Sequence, residues 1–311
     1  MKKTKFLTGF AVLAMSSLLL VACAPDNKTD DKAADTKTEE TVKSSDKKEE
    51  AKDEEKAPAK KVAGGDLKDG TYKLEEKNEN NGYRATFEMT VKDGKITDSK
   101  YDNINKDGKS KTEDKEYNKM MTEKSGVGPE TFIPELNEAF LAAQDASGVE
   151  VVTGATHSTG SFKNYAQQLI QAAQAGNTDT IEIDNGADLK DGEYTLEEKN
   201  DSNGYHTVFT MVVKDKKIAE SNYDNLNKDG KSKQKDADYN KMMKEQAGTS
   251  PETFIPELNK ALEEKGAPAE VEVVTGATHS THSFQMYAEQ LVNAAEKGAT
   301  DKIVVDNIVT E

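Results

Sequence analysis

Residues 66–311 carry one pattern twice. Asp66 recurs as Asp188, Tyr101 as Tyr223, Pro129 as Pro251 and Thr156 as Thr278, without a gap and at one offset (278 − 156 = 122). That period makes two copies of one unit, each of about 120 residues and large enough for its own core. The stretch Val151-Val152-Thr153-Gly154-Ala155-Thr156-His157-Ser158-Thr159 returns letter for letter from Val273 to Thr281. By contrast, Thr112 to Glu116 has drifted against Gln234 to Asp238.

Within each unit, strands precede helices. In the first, 70–76, 83–92 and 95–103 read as short strands joined by an Asn-rich turn and by Asp93-Gly94, both hairpin signals. Helices are expected over 117–124, from near Pro134 through Leu136, Phe140 and Leu141, and over about 161–175. In the last of these, Phe162, Tyr165, Ala166, Leu169, Ile170 and Ala173 fall at helical spacing. Residues 149–152 read as a strand entering the Thr-Gly-Ala-Thr turn, and Ile181-Glu182-Ile183 as a closing strand echoed by Ile303-Val304-Val305. The expected fold is α+β: two tandem homologous domains, 66–187 and 188–311, each a small antiparallel sheet with helices.

What precedes them is different in kind. Lys2, Lys3 and Lys5 lead into an apolar run from Phe6 to Ala22, the layout of an export signal. It ends Leu20-Val21-Ala22-Cys23, which resembles the lipobox of bacterial lipoproteins; 1–22 would be the signal peptide and Cys23 the lipidated residue. A lipid there anchors the chain without a spanning helix. Residues 24–65 hold 12 acidic residues and 10 lysines with no aromatic, Leu or Ile. Such a stretch buries too little to offset its ordering entropy, so 23–65 is expected to be a disordered tether. Cys23 is the only cysteine, which excludes disulfides within the chain and thiolate-held zinc or iron–sulfur sites. A net charge of −16 argues against nucleic acid as a partner.

The duplicated loop is the chemical feature. Gly154 and Ala155 leave room beside the backbone, and Ser158, Thr159 and Ser161 are N-cap types that point to bare amides near Thr156. Such a helix end takes phosphate readily. An unassisted threonine hydroxyl is a poor nucleophile, so esterification would need a separate enzyme. A well-capped structural turn explains the same letters. His157 beside Ser158 lacks the Gly-x-Ser-x-Gly elbow of a hydrolase.

Thr153-Gly154-Ala155-Thr156 and Thr275-Gly276-Ala277-Thr278 resemble the flavinylation motif of FMN-binding domains of the NqrC and RnfG kind. Two such domains behind a lipobox and a charged linker resemble Gram-positive lipoproteins of the PplA type. The resemblance implies that FMN is esterified through its phosphate to Thr156 and to Thr278 by a flavin transferase that takes it from FAD. Where that family often has Asp three residues before the motif, this chain has Glu150 and Glu272.

With those loops go His157, Ser158, His279 and Ser280 as cofactor neighbours. The recurring segments Tyr101 to Lys111 and Tyr223 to Lys233 suggest a solvated turn, a weak calcium loop, or a flavin contact through Tyr101, Lys109, Tyr223 and Lys231. Phe132 and Ile133, with Phe254 and Ile255, read as core or as an apolar slot for the ring. Tyr165 and Tyr287 can face either way, and Met120-Met121 with Met242-Met243 read as core filler. No metal site is expected.

The expected function is that of an electron carrier rather than an enzyme of its own. It would be lipid-anchored at the outer face of a Gram-positive membrane, fed by a membrane NADH or quinone system. Ferric iron or free flavins would be the acceptors. The rival readings are a non-redox binding or adhesive surface lipoprotein, and a signal peptide whose fragments act as secreted pheromones.

Overall fold

The computed structural model describes residues 61–310. The expected signal segment, Cys23 and nearly all of the expected tether lie outside the described residues.

The alternation seen in the sequence becomes a sheet with one buried face. In the first repeat, β2 (Gly70–Glu76), β3 (Arg84–Lys92) and β4 (Lys95–Ile104) form an antiparallel meander. Every second residue of β3, from Ala85 through Phe87 and Met89 to Val91, points inward. Three helices follow: α1 (Lys115–Ser125), α2 (Pro129–Ala143) and α3 (Thr156–Ala175). The chain then returns as β5 (Ile181–Ile183), which pairs parallel with β2, giving the order β4-β3-β2-β5. The second repeat reproduces this with β6 (Gly192–Glu198), β7 (His206–Lys214), β8 (Lys217–Leu226), α4 (Ala237–Ala247), α5 (Pro251–Lys265), α6 (Thr278–Lys297) and β9 (Ile303–Val305), in the order β8-β7-β6-β9. Among the described residues, no helix is long and apolar enough to cross a membrane.

The sheet is closed on one face by an aromatic cluster. Phe162 of α3 lies 5.0 Å from Phe87 and 5.1 Å from Tyr101 between ring centres, with Phe140 of α2 beside it. Truncating a fully buried phenylalanine of this kind costs about 3–5 kcal/mol.

Asn137 ties α2 to β4. Its carbonyl accepts from Ser99 Oγ (2.7 Å) and from the Tyr101 amide (2.8 Å), while its amide donates to the carbonyls of Tyr101 and Ile133. Asn259 does the same for Ser221 and Tyr223. Asn137→Ala strands several part-buried polar groups at once, so urea unfolding should show a loss of about 2–4 kcal/mol.

Several boundaries differ from the sequence reading. The second helix begins at Pro129, a proline suited to the first position, and carries Pro134 inside it. Burial of Phe132, Ile133, Leu136 and Phe140 outweighs the bond that Pro134 cannot donate. The third helix begins at Thr156, five residues earlier than expected, and residues 149–152 form no strand. Their polar groups pair with helix side chains instead: Lys163 donates to the Val149 carbonyl, and the Val152 amide donates to Thr159 Oγ1.

Residues 61–65, expected in the tether, are structured as well. Lys61–Ala63 forms β1 and pairs antiparallel with β10 (Val309–Thr310). Backbone pairing holds this edge, since Val62 stays 45% exposed, and composition does not register such pairing.

Candidate functional site

Gly154 shapes the loop for a steric reason. It sits at φ +83°, and a Cβ placed there would lie 2.1 Å from the Ser125 carbonyl oxygen at the end of α1. Gly276 is the same, at φ +81° and 2.1 Å from the Ala247 oxygen. The glycine is therefore demanded by the protein's own packing rather than by room for a ligand.

From that corner the chain enters α3 through Ala155, which is buried and caps nothing with its side chain. The first helical amide to find a helical acceptor is that of Thr159, bonded to the Ala155 carbonyl at 2.9 Å. The amides of Thr156, His157 and Ser158 precede it and have no intrahelical partner. No acidic residue stands in this first turn, nor in that of α6. Thr156 and Thr278 are both exposed, and among the described residues neither hydroxyl has a hydrogen-bond partner. The result is an open hydroxyl at the positive end of a 20-residue helix, suited to a phosphate.

Ser158, Thr159 and Ser161, expected to cap, lie inside the helix instead. Thr159 still holds the corner together, donating its hydroxyl to the Ala155 carbonyl at 3.0 Å. Thr281 repeats the bond to Ala277.

Beside Thr156 lies a pocket of about 120 Å³ that gathers Gly154, Ala155, His157 and Ser158 with Lys111, Tyr117, Met121, Pro129 and Phe132. Lys111 is gripped by two rings, its ammonium 5.0 Å from the centre of Tyr83 and 4.2 Å from that of Tyr117. Each such contact is worth about 0.5–1 kcal/mol when exposed. Asp114 fixes the grip. It caps α1 at the Tyr117 amide and accepts from the Tyr83 hydroxyl at 2.7 Å, which holds its carboxyl below the usual range. Buried Asn118 ties the same turn to α2, donating to the carbonyls of Lys111, Thr112 and Asp114 and accepting from the Glu130 amide.

The second repeat has a larger cleft, about 380 Å³, next to its loop. His279 and Ser280 line it, with Tyr205, Tyr223, Lys233, Tyr239 and Tyr287. Lys233 lies 4.9 Å from the Tyr205 ring centre and 4.3 Å from that of Tyr239, so the grip recurs.

Other expected neighbours sit elsewhere. Tyr101 is 4% exposed and packs edge-on against Phe87 and Phe162 in the core; burial raises its hydroxyl well above the ordinary range. Ile133, Ile255 and Phe254 are core residues too. Lys109 is exposed on a turn whose amides, at 107 and 109, donate to the Asn105 side chain. That engagement makes the segment a side-chain-closed turn. Lys231 lines a groove with Tyr205, Leu226, Asn227 and Asp236, and of these Tyr205 also lines the cleft. Thr153 and Thr275 are exposed at the corner, and Gly276, Ala277 and Thr278 repeat the first loop. Tyr165 faces inward and donates to Glu76 (2.5 Å), while Tyr287, which lines the cleft of the second repeat, donates to Glu198 (2.6 Å). Met120 and Met242 are exposed rather than core filler, and Met121 lines the pocket.

The residues that sequence reasoning missed, Tyr83, Lys111 and Tyr117, carried one signal: each returns unchanged at the offset, as Tyr205, Lys233 and Tyr239.

The model of the FMN-binding domain family matches residues 82–171. Over 116 residues the chain is 35% identical to the 15 kDa lipoprotein of Treponema pallidum (strain Nichols), covering 37% of this chain and 82% of that one. It is 39% identical to the CPE2226 protein of Clostridium perfringens, a crystal structure matched over 38% of this chain and 97% of that one at a TM-score of 0.36. A Clostridium thermocellum protein solved in solution by NMR is 23% identical, with 34% and 92% covered and a TM-score of 0.24.

Proposed function

Because the chain belongs to the FMN-binding domain family, we propose that this flavoprotein is an electron carrier with two FMN groups, esterified through phosphate to Thr156 and Thr278. The observation that carries this reading is the exposed threonine at the first position of an uncapped, acid-free helix end, built identically twice. FMN, when bound, supplies carriage of one or two electrons.

This chain's residues do the rest. The bare amides of His157 and Ser158 would hold phosphate oxygens. Lys111, kept in place by Tyr83 and Tyr117, puts a fixed positive charge beside the pocket and so favours negative charge there. Met121 and Phe132 give the pocket an apolar wall. No side chain among the described residues withdraws the proton from Thr156 Oγ1, so a separate flavin transferase makes the ester from FAD, with AMP leaving.

Attachment to the chain suits a protein outside the cell, where a dissociable group would be lost. The lipobox ending at Cys23, and a relative named as a lipoprotein, support a lipid anchor, and on this reading the anchor holds the protein at the outer face of a Gram-positive membrane. There the protein would take electrons from a membrane NADH or quinone system and deliver them to ferric iron or free flavins.

Protein purified from its own host should stay yellow after denaturation and weigh two FMN groups more than its lipidated polypeptide. A colourless product made beside an active transferase and FAD would sink the reading.

A further inference from the structure

One cavity away from the threonine loops has an unanswered polar group in its wall. It lies between the repeats, where α3 and α6 pack together, and has a volume of about 210 Å³. Ile181 and Ile183 of β5 and Ile303 of β9 give it apolar walls, and Gln168 and Gln290 line it from the helices. Each glutamine stands 12 residues after its threonine (168 − 156 = 290 − 278), about 18 Å further along the helix. The site is therefore separate from the loops, and what it binds does not depend on FMN being attached there.

The two glutamines match by the repeat but not by their bonds. Gln168 Nε2 donates to Asn164 (3.0 Å) and to Asn293 (3.1 Å). In the second repeat the offset puts Met286 where Asn164 stands, so the acceptor one turn back is gone. Gln290 Oε1 accepts from Gln171 (3.4 Å), while its own Nε2 meets no acceptor among the described residues. Gln290 is 3% exposed, and its Nε2 is the single buried side-chain nitrogen or oxygen left so among them. Buried polar groups are otherwise paired, so an orphan donor in a cavity wall marks a place for an acceptor from outside the chain.

The neighbouring charges narrow that acceptor. Lys297 donates to the Glu182 carbonyl (3.0 Å), the Glu182 carboxylate is paired with Lys77 (2.8 Å), and Asn293 Nδ2 reaches Glu296. Asp301 adds a negative charge at the exposed rim. An anion gains no fresh cation there, and a cation meets an N–H donor at the buried end. An uncharged oxygen suits both. Walls of isoleucine and alanine call for an apolar body. A void of about 150 Å³ holds a benzene ring, so 210 Å³ has room for one or two small rings.

We propose that this cavity binds a small uncharged cyclic ketone, quinones included, whose carbonyl oxygen accepts from Gln290 Nε2 and whose ring lies among the isoleucines of both repeats. A ligand held in this way touches α3 and α6 together and stabilises their packing by mass action.

The probe is 1-tetralone, two rings with one carbonyl, and its control is tetralin, which lacks the oxygen. Titrated into the full chain, 1-tetralone should shift the Gln290 side-chain amide signals in NMR and bind roughly tenfold more tightly than tetralin, the worth of one hydrogen bond to a buried donor. Gln290→Met keeps the length of the side chain without the donor and should bring the two affinities together. Ile303→Phe should fill the cavity and abolish binding of both, with the circular dichroism of the wild type retained. Equal affinities in the wild type, no binding at all, or binding that survives Ile303→Phe overturns the proposal. So does a crystal soaked in 1-tetralone that shows only a water on Gln290 Nε2. Should Gln290→Met fail to fold, the amide shift in the wild type decides alone. A host-made protein without FMN that still binds 1-tetralone would defeat the proposed function and leave this site standing.

Discussion

Thr156→Val leaves one attached FMN, Thr278→Val leaves one, and the double variant leaves none, read as steps in intact mass. Valine keeps the branched shape of threonine and removes only the oxygen that would bear the ester. Because neither hydroxyl has a hydrogen-bond partner among the described residues and both side chains are exposed, stability should move by no more than about 0.5 kcal/mol. Loss of mass with preserved unfolding behaviour therefore separates lost attachment from lost folding. Two FMN groups remaining on either single variant would contradict the assignment.

Gly154→Ala should do nearly the reverse, damaging the fold first. A left-handed backbone costs a non-glycine residue about 1–2 kcal/mol. The added carbon would also lie 2.1 Å from the Ser125 oxygen, a backbone atom that cannot step aside without moving the end of α1. Overpacking of that kind adds about 1–3 kcal/mol. A total near 3 kcal/mol is a large fraction of the 5–15 kcal/mol that typically holds a domain. Loading at Thr156 should fall while Thr278 keeps its group. Gly160→Ala is the control. Inside α3 its new carbon meets nothing within 4 Å, so the helix should gain about 0.5–1 kcal/mol. Urea unfolding of the two variants side by side checks both signs, and equal stabilities would show that the corner is not packed against α1.

Burial explains why some neighbours of the acceptor were legible in sequence and others were not. Phe132 suits either core or pocket wall, and it is 4% exposed while lining the pocket. Tyr101 and Lys109 belong to a segment kept in both repeats, yet one is a core ring and the other is solvated. The lysine at the pocket is Lys111, two residues further on. Recurrence marks a segment as constrained without saying whether packing or a ligand constrains it. The direction of a side chain within a turn is set by contacts such as that of Asp114 with the Tyr83 hydroxyl, which joins elements far apart in sequence.

The duplication, the α+β order, the inward face of β3 and the two candidate threonines are all legible from the residues alone, because each is written in local periodicity or exact repetition. Packing sets where α3 begins, that 149–152 is held by Lys163 and Thr159 rather than by a sheet, and that side chains of one repeat line the other's cleft. Those outcomes depend on which distant groups satisfy a buried amide, carbonyl or carboxyl. That pairing exists only after the repeats have packed together.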